Sequence, residues 1–308
     1  MAVIVLALAG LSYTNNAFAH DFDSDESSSF LALIESIKVE LDLARINLAS
    51  NSTISTEHAI HAHEHLDDHT VEEIAERNER LGRDLPAALE ELHVSIGNSS
   101  ETAVQAKIQS INDLLDETLS VRIDSEQLTN STTQAVFVAS LADGALEHYK
   151  EAFGLGSNES GHSDNETHDM SDSEESGMSM NETDNMAENA TDVAQSETIT
   201  DIVSYQTAQG LADRALEIFN GTVKELAPAN STEAVAAIEA GLVRLNQSIT
   251  EKASPNEIEL IVHGEIHPNL QRGYDLQVIP EFPVSLLVAI GSVAGVIIAG
   301  RFRMTRRS

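Results

Sequence analysis

The amino-acid sequence predicts an all-α protein: an elongated bundle of helical hairpins, interrupted by a disordered acidic linker and followed by one C-terminal transmembrane helix. Three observations predict it. Apolar residues recur at three- and four-residue spacing over most of the chain, the stripe of an amphipathic helix. No segment alternates apolar and polar residues convincingly with period two, so strands are not expected. Trp is absent and aromatics make up 4% of the residues, so the core falls to Leu, Ile, Val and Ala.

The first helix follows Ser27-Ser28-Ser29 and carries Leu31, Ile34, Ile37, Leu41, Ala44 and Leu48 on one stripe. A second runs from about Thr56 to His69. Thr70-Val71-Glu72-Glu73 reads as a capping box that opens a third, with Ile74 and Leu81 on its apolar side. Pro86 bends or restarts that helix, and Gly97-Asn98 ends it. Val104, Ile108, Ile111, Leu115 and Leu119 mark the next, and another spans about Ser131 to Phe153, stopped at Gly154.

Residues 155–197 break the pattern. From Glu151 to Asp213 there is no Lys or Arg, and the middle is Ser, Asn, Asp, Glu, Gly and Met with almost no large aliphatic side chain. Such a stretch cannot bury enough apolar surface to offset the entropy of ordering it, so a disordered linker is expected. Beyond it a helix runs from about Thr200 to Leu226, ahead of Pro228. Asn230-Ser231-Thr232-Glu233 opens another through Val235, Ile238, Leu242 and Leu245. The last starts at Pro255, where proline is tolerated in a first turn, and passes Ile258, Ile261 and Val262 toward Leu270. Leu141-Ala142-Asp143-Gly144-Ala145-Leu146-Glu147 and Leu211-Ala212-Asp213-Arg214-Ala215-Leu216-Glu217 form a weak internal echo. About three helices make a small core, so the second half is expected to pack against the first.

The termini divide the chain further. Met1 to Leu11 is apolar, Ser12 to Asn16 polar, and Ala17-Phe18-Ala19 has the small-x-small pattern that signal peptidases cut after. No Lys or Arg precedes the apolar run, which leaves an uncleaved N-terminal anchor as the alternative. At the other end Val284 to Gly300 is uncharged and apolar, at the short end of the ~17 to 25 residues that span a bilayer. Arg301, Arg303, Arg306 and Arg307 follow and should stay cytoplasmic, which puts the preceding chain outside. The expected organisation is a leader over 1–19, a helical domain with a His-rich helix over 20–154, the linker over 155–197, a second helical segment over 198–277, and a motif, span and basic tail over 278–308.

The Pro280-Glu281-Phe282 motif, the apolar span and the basic tail, in that order, resemble the PEF/PEFG-type C-terminal sorting signals of archaeal surface proteins. The resemblance covers this tail alone. It implies a cell-surface protein held in the plasma membrane, with an archaeosortase as processing partner and surface-layer or other envelope proteins as neighbours.

Composition narrows the partners. With 51 acidic and 17 basic residues the net charge is -34, so nucleic acid is repelled and cations are attracted. Halophilic solvation is the bland account of the same charge. The absence of cysteine removes disulfides, thiolate metal sites and thiol catalysis. Asn-x-Ser/Thr acceptors begin at Asn51, Asn98, Asn130, Asn158, Asn165, Asn181, Asn189, Asn220, Asn230 and Asn246, which fits an exported glycoprotein. Several stand at helix starts, where Asn also serves as a cap.

Chemistry gathers on histidine. On the second helix His58, His61, His65 and His69 share one face, with His63 beside them, and imidazoles at i,i+4 can bind one divalent metal. His263 and His267 repeat the spacing near the far end. Two such pairs facing each other would complete a tetrahedral site. Neutral imidazole suits Zn and Cu, and it binds better at neutral than at acidic pH. Gly264 stands where a zincin carries Glu, which speaks against a metalloprotease. In the linker Met170, Met178, Met180 and Met186 lie with His162 and His168, and thioether with imidazole selects copper. A His20 N-terminus would offer amine and imidazole together. Compositional drift is the bland reading of the linker, and solvated charge-tuning residues that of the helical histidines; His93 and His148 read as rim residues.

No Gly-rich phosphate loop, no Gly-x-Ser-x-Gly and no aromatic sugar cleft is present, so an enzyme is not expected. The sequence reads as a membrane-anchored extracellular glycoprotein that binds transition metal ions, copper or another divalent metal, for scavenging, buffering or delivery. The alternative is a structural or adhesive surface protein whose histidines are incidental. A pH-responsive assembly element is a third reading. Convergence in space of His58, His61 and His65 with His263 and His267 separates the first two.

Overall fold

The structure is a computed structural model, and it describes residues 26–155 and 198–276 of the chain. Every regular element among the described residues is helical. In order these are α1 (Glu26–Asn47), α2 (Ser52–Glu64), α3 (Asp68–Arg77), α4 (Glu79–Ser95), α5 (Glu101–Arg122), a 3-10 turn (Gln127–Thr129), α6 (Ser131–Ala152), α7 (Ile202–Gly221), a second 3-10 turn (Val223–Leu226), α8 (Thr232–Thr250) and α9 (Pro255–Glu259). A π-helical segment, Leu260–Ile266, then leads into α10 (His267–Tyr274).

Helix α1 is apolar on two sides, and this sets the architecture. Phe30, Ile34, Ile37, Leu41 and Ala44 join α2 to α5 in one buried cluster, with Leu81, Leu85, Leu89 and Leu92 of α4 and Ile108, Ile111 and Leu115 of α5. Leu31 and Val39 of the same helix join a second cluster built from α6 to α10. A helix flanked by apolar surface on both sides belongs in the interior. Ion pairs tie α1 to each half: Lys38 meets Asp116 of α5 at 2.8 Å, and Glu35 meets Arg214 of α7 at 2.6 Å.

The boundary between the cores falls between α5 and α6, not at residues 155–197. Helices α6 and α7 form an antiparallel hairpin across that segment. The Thr200 and Asp201 amides donate to the Ala152 carbonyl at 2.8 and 3.2 Å, and Tyr149 lies against Tyr205 with ring centroids 6.2 Å apart. The two echoing heptads face one another here. Their buried alanines, Ala142, Ala145, Ala212 and Ala215, bring the helices close, and a Cβ on Gly144 would lie 3.3 Å from Leu211.

Four helix limits differ from the sequence reading, one of them that of the helix expected to run to Leu226, which stops at Gly221 and is followed by a 3-10 turn over Val223–Leu226. The second helix stops at Glu64, because the Asp67 carboxylate accepts from the Thr70 amide at 2.7 Å and caps α3. Asp67 therefore does the work expected of Thr70. The third and fourth helices divide at Asn78, whose side chain accepts from the Arg80 and Leu81 amides, while α4 runs through Pro86 at the loss of one backbone bond. Gly82 is required there: a Cβ would lie 2.5 Å from the Ala75 Cβ. The final helix is split by its π segment.

Of the sequons within the described residues, Asn51 and Asn130 cap α2 and α6 through their side-chain oxygens, so each keeps its amide nitrogen clear of the cap. Asn98, Asn220 and Asn230 are exposed. The amide nitrogens of Asn98 and Asn246 are engaged, donating to the Val94 carbonyl at 2.8 Å and the Ala212 carbonyl at 3.2 Å. Among the described residues no helix is long and apolar enough to cross a membrane. The predicted span and leader, Pro280, Glu281 and Phe282, the linker residues His162, His168, Met170, Met178, Met180 and Met186, and Asn158, Asn165, Asn181 and Asn189 lie outside the described residues.

Candidate metal centre

Pro268 explains the first grouping of ligand-type side chains. Proline has no N–H and its ring crowds the carbonyl four residues back, here that of Gly264, so regular α-helical bonding fails at this point. The chain responds with a wider turn in which the His267 amide bonds to the Val262 carbonyl, five residues back. The widened turn stacks His263 and His267, with ring centroids 5.0 Å apart and planes at 82°. His267 is 2% exposed and faces α6, where its Nε2 lies 3.1 Å from Asp143 Oδ1.

Asp143, His263 and His267 each bring a ligand atom to within 4.8 Å of the others, a group that could hold a metal ion. The fit can be tested against metal geometry. A tetrahedral ion with bonds of about 2.0–2.1 Å needs its ligand atoms roughly 3.4 Å apart. One pair already stands near that spacing, so small side-chain rotations would close the rest. Two imidazoles and one carboxylate are the donor set of Zn sites that keep an open position, and of non-haem iron sites. Asp143 and His263 are partly exposed as residues, while Asp143 Oδ1, His263 Nδ1 and both ring nitrogens of His267 are buried. Beside the group, Glu259 is held below the usual carboxylate range by its hydrogen bond from Lys150, against the effect of burial.

A second set of polar groups lies where α1, α2, α6 and α7 meet. Glu40 of α1 is fully buried. Its Oε2 accepts from His58 Nδ1 at 2.7 Å and its Oε1 from Thr207 Oγ1 at 2.7 Å. Burial alone would raise this carboxyl, but the bond to His58, the charge of His58 and the Thr207 hydroxyl hold it below the ordinary value. The other ring nitrogen of His58 lies 2.9 Å from Gln206 Oε1, which also accepts from Asn47 Nδ2. His61 Nδ1 stands 4.0 Å from Glu40 Oε1. On α6, His148 Nδ1 meets Glu151 Oε2 at 2.8 Å, and Ser204 of α7 reaches the same oxygen at 3.5 Å.

The histidines singled out in the sequence therefore have different fates. His263 and His267 come together, and Asp143 completes their group. His58 is engaged at both nitrogens and is part of the interior. His61 and His65 stay at i,i+4 at the end of α2, with the His61 ring 4.0 Å from Glu40 of α1. His69 leaves that face, because the cap at Asp67 moves it onto α3, where it is 79% exposed beside Glu73. His63 and His93 both approach Glu90, at 3.3 and 3.5 Å. The single site joining His58, His61 and His65 to the His263 and His267 pair is not formed: the donor atoms gathered around His263 and His267 come from Asp143 instead.

Asp143 was hidden because one carboxylate among 51 has no local signature. Glu40 was not hidden: it follows Ile37 by three residues and precedes Ala44 by four, so it interrupts an apolar stripe. His148 and Glu151 share a helix face at i,i+3, a spacing too common on acidic helices to stand out. No protein family, curated protein or solved structure matches this chain.

Proposed function

We propose that this protein binds divalent transition metal ions outside the cell, as a membrane-anchored glycoprotein that scavenges, buffers or delivers them. The observation that supports this reading is the group of Asp143, His263 and His267, assembled from two helices that are far apart in sequence and stacked by a π turn. Imidazole and carboxylate favour Zn(II) or Cu(II) over Ca(II) or Mg(II), which prefer all-oxygen shells. The charge of -34 supplies a general attraction for cations, and the histidines supply the selection. An open coordination position suits a site that hands its ion on. The tail motif and basic residues 301–307 support anchoring at the cell surface, with an archaeosortase and envelope proteins as partners.

The test is calorimetric titration of the full chain in detergent with Zn(II) and Cu(II), in an excess of Ca(II) that saturates the acidic surface. Asp143→Asn with His263→Ala and His267→Ala should remove one equivalent of tight binding. Acidification below the ordinary imidazole pKa of about 6.5 should weaken the parent, since a protonated ring cannot ligate. Identical isotherms for parent and variant would discard this centre and leave the structural or adhesive reading standing.

A further inference from the structure

Where α1, α7 and α8 come together a cavity of about 320 Å³ opens, and a second of about 360 Å³ lies beside it between α1, α5 and α7. Gly210 and Asp213 of α7 line both, so the two make one groove with Asp213 at the join. Each volume is at the lower end of the ~300–1,000 Å³ that small-molecule sites occupy. Close approach of α7 to α1 shapes the floor, since a Cβ on Gly210 would lie 2.6 Å from Val39 Cγ1. Four carboxamides line the first cavity, and their bonds decide which end is left for a ligand. Asn47 Nδ2 donates to the Leu43 carbonyl and to Gln206 Oε1, both at 2.9 Å, and Asn246 Nδ2 donates to the Ala212 carbonyl at 3.2 Å. Gln209 Nε2 donates at 3.3 Å to the Tyr205 hydroxyl, whose own proton goes to the Ile249 carbonyl. These partners accept, so the amides cannot be turned round, and the oxygens of Asn47, Gln209 and Asn246 are the ends left over. Gln206 is reversed, its oxygen taken by Asn47 and His58.

The acids tell the same story. Asp213 accepts from no donor among the described residues, and partial burial raises its carboxyl above the ordinary value with no cation to offset it. In the second cavity Asn112 Oδ1 is buried and unmatched. Lys38 and Arg214 line that cavity too, but they already hold Glu35, Asp116 and Glu217. The groove is thus rich in acceptors whose donors are missing. We propose that it binds a small aliphatic amine, with the ammonium at Asp213 and the methylene body against Leu43 and Ile46. An ammonium brings three donors and no acceptor, the complement of a wall of unused oxygens. Ile46 is 63% exposed at this cavity, apolar surface that a methylene chain would cover. A neutral polyol would bring acceptors for which the wall has few donors, and an anion would meet Asp213. The net charge of -34 draws amines to the molecule as it draws metal ions. The groove shares no residue with the Asp143 centre and does not depend on it.

The probe is putrescine, with the uncharged 1,4-butanediol as its counterpart. Asn246 heads a sequon, so the full chain is made without glycans, and it is titrated by calorimetry in detergent with Ca(II) in excess to occupy the acidic surface. The proposal expects one saturable equivalent of putrescine and no measurable binding of butanediol. Asp213→Asn keeps the shape and removes the charge, and it should weaken putrescine about tenfold or more, the worth of one charge-assisted hydrogen bond. Glu72→Gln, an exposed carboxylate on α3, should change nothing. No saturable heat in the parent, equal affinity in Asp213→Asn, or butanediol binding as tightly as putrescine would each overturn the proposal. Circular dichroism reports whether the variants fold. Independently of them, the side-chain amide NMR signals of Asn47, Gln209 and Asn246 in the parent should shift as putrescine saturates. Unmoved signals would sink the proposal whatever the variants do.

Discussion

At the scale of the residue, the most consequential side chain is Glu40, a carboxylate in an otherwise apolar helix stripe. A buried charge is stable only with its partners in place, and removing one partner costs about 3–5 kcal/mol because the other is left uncompensated. His58→Leu should therefore destabilise the protein by about that amount, read as a fall in the urea midpoint with the slope unchanged. Glu40→Leu combined with His58→Leu should recover most of the loss, since the buried carboxylate then leaves with its partner. A double variant as unstable as the single one would show that packing, not charge, holds this seam. This also explains why His58 reads as a ligand in sequence and as an interior residue in structure. Its spacing marks the face it lies on, but the groups that occupy both its nitrogens sit 18 and 148 residues away.

At the scale of the element, the helices themselves were legible, because three- and four-residue spacing and the Gly97, Gly154 and Pro255 signals act locally. The limits that differed turn on competition between nearby caps. Asp67 and Asn78 each offer a side-chain oxygen to free amides, and they displaced Thr70 and Pro86, whose signals were equally visible. The π segment was not legible, since Pro268 follows His267 in a stretch that otherwise continues the helical pattern. Its role at the candidate site can be tested directly. Pro268→Ala restores an amide that can bond to the Gly264 carbonyl, so the turn should relax to regular α-helix and rotate the His263 and His267 pair relative to Asp143 of α6. Zn(II) affinity at that site should fall about tenfold, the loss typical when ligand orientation is disturbed, while helix content stays the same. Unchanged affinity would mean that the pair does not need the wide turn.

At the scale of the whole molecule, the division of the chain differs from the division of its composition. The compositional break at residues 155–197 looks like a boundary, yet α6 before it and α7 after it share one buried cluster, and the chain ends on either side meet at Ala152 and Thr200. An insertion whose ends already touch places no demand on the helices that flank it. Replacing residues 156–197 by a short Gly-Ser loop should thus leave helix content and the rest of the fold in place. By loop-closure entropy it should raise stability slightly, about 0.6 kcal/mol for each halving of a flexible loop. The same variant separates the two sources of metal affinity. If the Asp143 centre acts alone, it keeps every Zn(II) equivalent of the parent; if Met170, Met178, Met180 and Met186 bind a softer ion, it loses Cu(I) and nothing else. A collapse of helix content in this variant would mean that the inserted segment contributes to the hairpin, and would place the boundary back where the composition changes.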